Sequence, residues 1–178
     1  RPTDPLAVVF TSGTTGNPKA TLLSHRNFYW SAVASAANIG VQDNDMWLAC
    51  MPLFHVGGLS ILLRSAIYGT SVDIHKNFDE NVVNIALNSG EVTLLSVVPT
   101  MLERILSIQP KEIRYPATIR AVLLGGGPAT PELIRRAQLQ GLPLLQTYGL
   151  TEVTSQVSTV PISDAFERAG SAGLPLLA

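Results

Sequence analysis

Short apolar clusters alternate along this chain with longer amphipathic segments. Each cluster has the length of a strand, and the segments between them are long enough to form helices. This alternation is typical of parallel strands joined by helical crossovers, and it predicts an α/β fold with a mostly parallel sheet flanked by helices. The predicted strands are residues 7–11, 46–51, 71–74, 93–97, 121–124 and 144–147.

Capping residues predict where three of the helices begin. Serine, aspartate and threonine side chains accept hydrogen bonds from free amides at a helix start, and proline suits the first helical position. The predicted helices are 27–38 after Ser24, 81–88 after Asp79, and 132–140 after Thr130 and Pro131, with Gly141 ending the last. The sequence has no internal repeat, low-complexity tract or linker, so a single domain or part of one is expected.

Composition narrows the class of function. The 178 residues are 46% hydrophobic and 14% charged, and their net charge of −1 offers nothing to attract nucleic acid or an anionic membrane surface. No apolar run reaches the roughly 20 residues of a membrane span. The single cysteine, Cys50, has apolar neighbours and is expected to be an inert core thiol in a cytoplasmic protein. A function in small-molecule chemistry is therefore expected. The sequence is compatible with both a monomer and a homo-oligomer.

A loop rich in glycine and hydroxyl groups follows the first predicted strand. Glycines let backbone amides turn toward an anion, hydroxyl groups donate hydrogen bonds, and lysine adds positive charge, so the loop suits a phosphate chain. An ordinary surface turn is the alternative. The P-loop pattern is not met, because Lys19 follows Pro18 and not a glycine. The loop consists of Thr11, Ser12, Gly13, Thr14, Thr15, Gly16, Asn17, Pro18 and Lys19.

A second motif, residues 51–58, follows another predicted strand. It contains His55, Val56 and Gly57. A histidine at this point can donate a hydrogen bond to a substrate carboxylate, while nearby glycines let a substrate approach the backbone. A core or capping histidine is the alternative.

A third motif follows the strand at 144–147. Its aromatic ring can stack on a base, its hydroxyl groups can bind phosphate, and its carboxylate can hold Mg²⁺. Its residues are Gln146, Thr147, Tyr148, Gly149, Leu150, Thr151 and Glu152. The upstream run Gly125, Gly126, Gly127 and Pro128 would let a flat base lie against the backbone, or would form a plain tight turn.

Taken together, the three motifs resemble in content and order the signatures of the adenylate-forming superfamily of acyl-CoA synthetases, adenylation domains and luciferases. The resemblance covers essentially the whole chain, with a mild departure at Ala20, where the phosphate loop of the superfamily usually ends in glycine. It implies a partial AMP-binding domain, residues 1–178. The implied reaction is ATP-dependent activation of a carboxylic acid to an acyl-AMP, followed by thioester formation with coenzyme A.

The resemblance also implies roles for individual residues. Thr11 and Glu152 would coordinate Mg²⁺, Thr151 would contact the α-phosphate, and His55 would orient the carboxylate. Tyr148 would stack on adenine. The residues implied to bind ATP are Thr11, Ser12, Gly13, Thr14, Thr15, Gly16, Lys19, Gly126, Gly127, Pro128, Gln146, Thr147, Tyr148, Gly149 and Thr151.

Within the superfamily, the chain most resembles the o-succinylbenzoate–CoA ligases of menaquinone biosynthesis. These enzymes often carry a polar residue two positions after the histidine, and here that position is Gly57. The second carboxylate of the acid needs a donor, for which Arg64, Ser155 and Gln156 are candidates. The alternative interpretation of Arg64 is a charged side chain on the solvent-exposed face of a helix. The implied pocket therefore consists of His55, Val56, Gly57, Arg64, Ser155 and Gln156.

Several features of the superfamily are expected beyond the last motif. They are an aspartate that binds the ribose, a hinge, and a small C-terminal domain with a catalytic lysine. Because these 178 residues do not include them, the chain alone is expected to be inactive in adenylate formation. The remaining alternatives are a fatty-acyl or aryl-acid CoA ligase, a peptide-synthetase adenylation domain, and a nucleotide-binding module without turnover.

Overall fold

The fold combines a two-stranded hairpin with a seven-stranded sheet, in a computed structural model that describes residues 1–11, 17–164, 167–168 and 170–177, apart from the side chain of Ile162. The strands are β1 (Pro5–Thr11), β2 (Lys19–Ser24), β3 (Met46–Ala49), β4 (Ser71–Ile74), β5 (Leu94–Val97), β6 (Ala121–Leu124), β7 (Leu144–Leu150), β8 (Ser155–Thr159) and β9 (Leu174–Pro175). The helices are α1 (His25–Ile39), α2 (Val56–Tyr68), α3 (Glu80–Asn88), α4 (Pro99–Ile108) and α5 (Pro131–Leu139), with 3-10 turns at Thr151–Val153 and Ile162–Asp164.

Strand order in the larger sheet is β4-β3-β5-β6-β7-β8-β9. The pairs from β4 to β7 are parallel, whereas β8 pairs antiparallel with both β7 and β9. Because β6 and β7 are parallel neighbours, the loops that follow them leave the sheet side by side. The predicted class, an α/β fold with a mostly parallel sheet, is confirmed.

Helices cover both faces of the parallel part of the sheet. Successive strand residues point to opposite faces, so Leu48 and Cys50 pack with α3, α4 and α5, while Trp47 and Ala49 pack with α1 and α2. Burial raises the pKa of the Cys50 thiol to about 12, which agrees with the predicted inert thiol. None of the helices in the described ranges is long and apolar enough to cross a membrane.

The hairpin of β1 and β2 lies outside the larger sheet. Its strands are antiparallel, with Val8 opposite Leu22, and its inner residues Val9 and Leu23 pack on Phe28 of α1 and on α2. The expectation that the first strand belongs to the parallel sheet is therefore wrong. Only residues 12–18 separate it from the next strand, whereas parallel pairing needs a crossover of roughly a dozen residues or more.

The predicted helix starts are confirmed at all three caps. The side chains of Ser24, Asp79 and Thr130 accept hydrogen bonds from the first turns of α1, α3 and α5. The bounds of α2 and α4 were not predicted, because neither helix has a side-chain cap: α2 opens with Val56-Gly57-Gly58, and α4 is preceded by Val98. Glycine is a poor helix former, so tertiary packing and not local propensity selects helix there.

A buried ion pair joins the start of β3 to β6. Asp45 is 2% exposed, and its carboxylate accepts a 2.7 Å hydrogen bond from Arg120 Nε and a 2.8 Å bond from the Thr93 hydroxyl. The Arg120 guanidinium also donates to the carbonyls of Ile39 and Gly40, where α1 ends. Burial alone would raise the pKa of Asp45, but hydrogen bonds from Arg120, the Gln42 amide and Thr93 outweigh it and hold the pKa below its ordinary value of 3.8.

We expect Asp45→Asn to lower the free energy of unfolding at pH 7 by about 3 kcal/mol, because it leaves a largely buried guanidinium without its charge partner. A lowered native pKa stabilises the fold above pH 3.8, and this contribution is lost as the pH falls from 3.8 through the native value. The difference in the free energy of unfolding between the variant and the wild type should therefore become smaller at acid pH. Chemical denaturation at several pH values measures it, with exposed Asp43→Asn as the control. Equal gaps at neutral and acid pH would contradict this account.

Candidate nucleotide and acid site

A cleft of about 500 Å³ lies beyond the carboxyl ends of β6 and β7. Leu124 at the end of β6 pairs with Gln146 in β7, so the two strands deliver their loops to one place. Parallel sheets bind ligands in the crevice beyond their strand ends, which is where the third motif was expected to act. The cleft is lined by Leu124, Gly126, Gly127, Pro128, Ala129, Gln146, Thr147, Tyr148, Gly149, Gly170, Ser171 and Ala172.

The glycine run after β6 provides bare backbone to this cleft. Gly126 has a φ of 77°, and a Cβ there would lie 2.8 Å from Val98 Cγ1, so both conformation and space require glycine. At Gly127 a Cβ would meet nothing within 4 Å, so open space lies beside its backbone. A flat ring can approach the main chain closely at this wall.

Tyr148 contributes an exposed aromatic ring to the same cleft. It is 56% exposed, although its strand begins in the core. The preceding hydroxyl, on Thr147, is instead used to pair strands: it donates to the Ser158 carbonyl at 2.9 Å and lies 2.9 Å from the Thr159 hydroxyl. The single proton of Thr147 thus holds β7 to β8, and Tyr148 remains free to contact a base.

Gln156 and Ser155 lie in β8, directly after the third motif. The Gln156 amide nitrogen donates to the hydroxyls of Thr147 at 3.4 Å and Thr159 at 3.1 Å, while its amide oxygen is buried without a hydrogen-bond partner among the described residues. Its donor group is therefore used within the sheet and is poorly suited to receive a substrate carboxylate. Ser155 has a φ of 99°, a strained conformation for a residue with a side chain.

The first and third motifs meet at the edge of the hairpin. Strand β2, which begins at Lys19, contacts the 3-10 turn Thr151–Val153 that carries the exposed Glu152. The Thr11 hydroxyl at the end of β1 donates to the Lys19 carbonyl at 3.4 Å. The fold therefore places Thr11 beside Lys19 where β1 ends and β2 begins, and Glu152 on a turn that packs against β2. The predicted phosphate-loop residues Ser12, Gly13, Thr14, Thr15 and Gly16 lie outside the described residues.

No group of three metal-ligating side chains occurs within the part of the chain that the structure describes. Mg²⁺ is commonly bound by one or two carboxylates together with substrate phosphate oxygens, so a single protein carboxylate can serve as its ligand. Glu152 is an exposed carboxylate on the turn that contacts β2.

His55 stands at the N-cap position of α2 with its side chain exposed. It makes no side-chain capping bond, and its ring lies 4.6 Å from that of Phe54, which is 73% exposed. The alternative of a core or capping histidine is therefore wrong, and the imidazole is available to a ligand. Val56 and Gly57 follow in the first turn of α2, where a Cβ on Gly57 would lie 3.2 Å from the flexible end of Met51.

Arg64 is buried in α2, with 3% of its surface exposed, so the alternative of a solvated helix charge is wrong. Its Nη2 donates to the Ser31 hydroxyl at 3.1 Å, and its guanidinium carbon lies 5.9 Å from the centre of the Trp47 ring. Its Nε has no hydrogen-bond partner, and no salt bridge among the described residues includes it. Burial lowers the pKa of Arg64 to about 10, so the group remains charged at neutral pH.

Sequence reasoning missed several residues of this region. Ser31 and Trp47 contact Arg64 but belong to no motif, and helical spacing alone does not single out one small residue of α1. Gly170, Ser171 and Ala172 line the cleft from a segment after β8. The only signal for them is the glycine-rich character of the stretch 170–175.

Comparison with known proteins agrees with this geometry. The family model described as AMP-binding enzyme matches residues 1–178. This chain belongs to the AMP-binding enzyme family. The 2-succinylbenzoate–CoA ligase of Geobacillus sp. (strain WCH70) is 45% identical over 173 residues, which cover 97% of this chain and 35% of that protein. The ligase of the same name from Listeria innocua serovar 6a is 44% identical over 170 residues, with coverage of 96% and 36%.

Solved structures of AMP-binding enzymes share this fold. O-succinylbenzoate coenzyme A synthetase (MenE) from Bacillus subtilis, in complex with ATP and magnesium ion, matches with a TM-score of 0.87 and 44% identity, covering 96% of this chain and 35% of that one. The inhibitor-bound N-terminal domain of FACL13 from Mycobacterium tuberculosis matches with a TM-score of 0.87 and 29% identity, covering 98% of this chain and 44% of that one. The chain spans about a third of the length of the curated relatives it matches.

We expect Gly149→Ala to destabilise the fold by about 3 kcal/mol or more, because a Cβ there would overlap the carbonyl oxygen of Ser155 at the bulge between β7 and β8. Gly127→Ala is the matched control, since a Cβ at that glycine meets no atom within 4 Å. Denaturant unfolding of the two variants measures the difference. Equal stabilities would show that the close approach of β8 to Gly149 is not required.

Proposed function

We propose that this chain forms the ATP-handling part of an enzyme that converts a carboxylic acid into an acyl-AMP and then into a coenzyme A thioester. The observation that carries the proposal is the cleft beyond β6 and β7, which has a bare glycine wall, an exposed Tyr148 ring and Glu152 on the adjoining turn. The ligase names and nucleotide complexes of its relatives support the same conclusion.

Each motif has a part in the first half-reaction, in which the acid's carboxylate attacks the α-phosphate of ATP and pyrophosphate leaves. Gly126, Gly127 and Tyr148 hold adenine, the Thr151 hydroxyl binds the α-phosphate, and the exposed His55 imidazole orients the attacking carboxylate. Loop 11–19 binds the β- and γ-phosphates. Bound at Glu152, Mg²⁺ supplies positive charge that offsets the negative charge of the phosphates. This chemistry depends on positioning and charge neutralisation more than on a protein nucleophile.

The proposed acid is 2-succinylbenzoate, which carries one carboxylate to be activated and a second at the far end of the molecule. A second carboxylate needs a buried cation without a counter-ion of its own, and Arg64 is buried and forms no salt bridge with any of the described residues. Of the three candidate donors, Gln156 uses its amide protons within the sheet. We therefore assign the second carboxylate to Arg64.

ATP–pyrophosphate exchange by the full-length protein that carries this chain tests the proposed reaction. We expect exchange that depends on 2-succinylbenzoate and is much weaker with benzoate or a fatty acid. We expect Glu152→Gln to reduce it by roughly 100-fold or more, because charge neutralisation at the phosphates is lost. Glu112→Gln, which changes an exposed loop carboxylate, should leave exchange unchanged. Normal exchange by the Glu152 variant would contradict the magnesium assignment, and activation of fatty acids alone would favour a fatty-acyl ligase.

The assignment of Arg64 predicts a change in acid preference. The test compares 2-succinylbenzoate with 4-oxo-4-phenylbutanoate, which lacks only the ring carboxylate. We expect Arg64→Gln to lower kcat/KM for the dicarboxylate by roughly 30-fold and to change that for the monocarboxylate little, since a hydrogen bond to a charged group contributes about 1.5–3 kcal/mol. The KM for ATP should stay near the wild-type value. An equal loss with both acids would refute the assignment.

A further inference from the structure

The hydroxyl of Ser31 is the protein's single hydrogen-bond partner for Arg64 among the described residues. Ser31 lies in α1 and Arg64 in α2, so this contact joins two helices at 3.1 Å. The same hydroxyl also lies 2.8 Å from the carbonyl oxygen of Thr154. One side chain therefore touches both the buried cation and the main chain that follows Glu152.

The direction of both hydrogen bonds is fixed by chemistry. A guanidinium can only donate, and a carbonyl oxygen can only accept. Ser31 must therefore give its one proton to Thr154 and accept from Arg64 Nη2. Because the proton is committed to Thr154, the hydroxyl lone pairs are oriented, and they in turn orient the guanidinium.

The carbonyl that Ser31 binds belongs to a strained turn. Thr154 and Ser155 both have positive φ values, 60° and 99°, which are unusual for two consecutive residues with side chains. Thr154 is 1% exposed, and its own amide donates to the Thr151 carbonyl across the 3-10 turn that carries Glu152. The Ser31 hydroxyl thus helps hold the turn on which the proposed magnesium carboxylate stands.

We propose that Ser31 is a positioning residue for acid specificity: its hydroxyl holds the Arg64 guanidinium in the orientation that receives the second carboxylate and links it to the turn carrying Glu152. This inference rests on the proposed function. Ser31 is only partly buried and is small, so its contribution is the hydrogen bonds and not the filling of a core. The unpartnered Nε of Arg64 remains as a donor for the incoming carboxylate.

The test uses the full-length enzyme with the two acids, 2-succinylbenzoate and 4-oxo-4-phenylbutanoate, in ATP–pyrophosphate exchange. The measured quantity is the ratio of kcat/KM for the two acids, together with the KM for ATP. Ser31→Ala removes the hydroxyl, and Ser31→Thr retains one. Ser65→Ala is the matched control, because it removes a buried hydroxyl of α2 that has no hydrogen-bond partner among the described residues.

We expect Ser31→Ala to lower the preference for the dicarboxylate by roughly 10-fold, mainly through a higher KM for that acid, because the guanidinium loses its orienting acceptor. Ser31→Thr should restore most of the preference, and Ser65→Ala should leave it unchanged. A purely structural role would lower the rates with both acids alike and leave their ratio intact.

Two results would overturn the inference, and they are distinguishable. If Ser31→Ala keeps the wild-type ratio while Arg64→Gln abolishes it, Ser31 has no positioning role and the proposed function stands. If the wild type itself does not prefer the dicarboxylate, the assignment of Arg64 fails and the role of Ser31 fails with it. Should Ser31→Ala not fold, the comparison of Ser31→Thr with Ser31→Val decides, since these two differ by a hydroxyl at nearly equal volume.

Discussion

Strand β7 is paired in parallel with β6 on one side and antiparallel with β8 on the other, and the site depends on this double pairing. Parallel pairing of β6 with β7 places the glycine run 125–127 next to Tyr148. Antiparallel pairing of β7 with β8 reverses the direction of the chain shortly after Glu152. Thr147 fixes the second pairing with its hydroxyl, and Gly149 permits the close approach of Ser155. The groups proposed to bind the base and the phosphates thus obtain their positions from the hydrogen bonds of one strand.

Much of this arrangement could be predicted, because the relevant signals are local. Parallel strands between helices follow from apolar clusters and capping residues, and the position of a ligand crevice follows from the direction of the strands. The caps Ser24, Asp79 and Thr130 were predicted for this reason, and the cleft lies beyond β7, where the strand direction places a crevice. The types of ligand that a glycine run, an aromatic ring and a carboxylate can bind also follow from the residues themselves and do not depend on the fold.

The rest depends on contacts between residues distant in sequence. From the sequence alone, Arg64 is equally compatible with an exposed charge and with a buried pocket residue. Packing of α1 against α2 decides between them, because it buries the guanidinium and brings Ser31 within hydrogen-bond distance. Gln156 has donors that suit a carboxylate, but pairing of β7 with β8 uses them. Helices α2 and α4 lack side-chain caps, so only their packing selects them. In each case a non-local contact decides between two local alternatives.

Under the proposed function, the buried guanidinium also explains how the pocket favours a dicarboxylate over other acids. Burying an unpaired charge costs free energy, and here one hydroxyl and the face of Trp47 offset only part of that cost. An acid with a second carboxylate would then supply the missing counter-ion, whereas a fatty acid would leave this cation, which stays charged at neutral pH, without one. Under this proposal the preference comes mainly from the attraction between Arg64 and the second carboxylate, which an acid with a single carboxylate lacks.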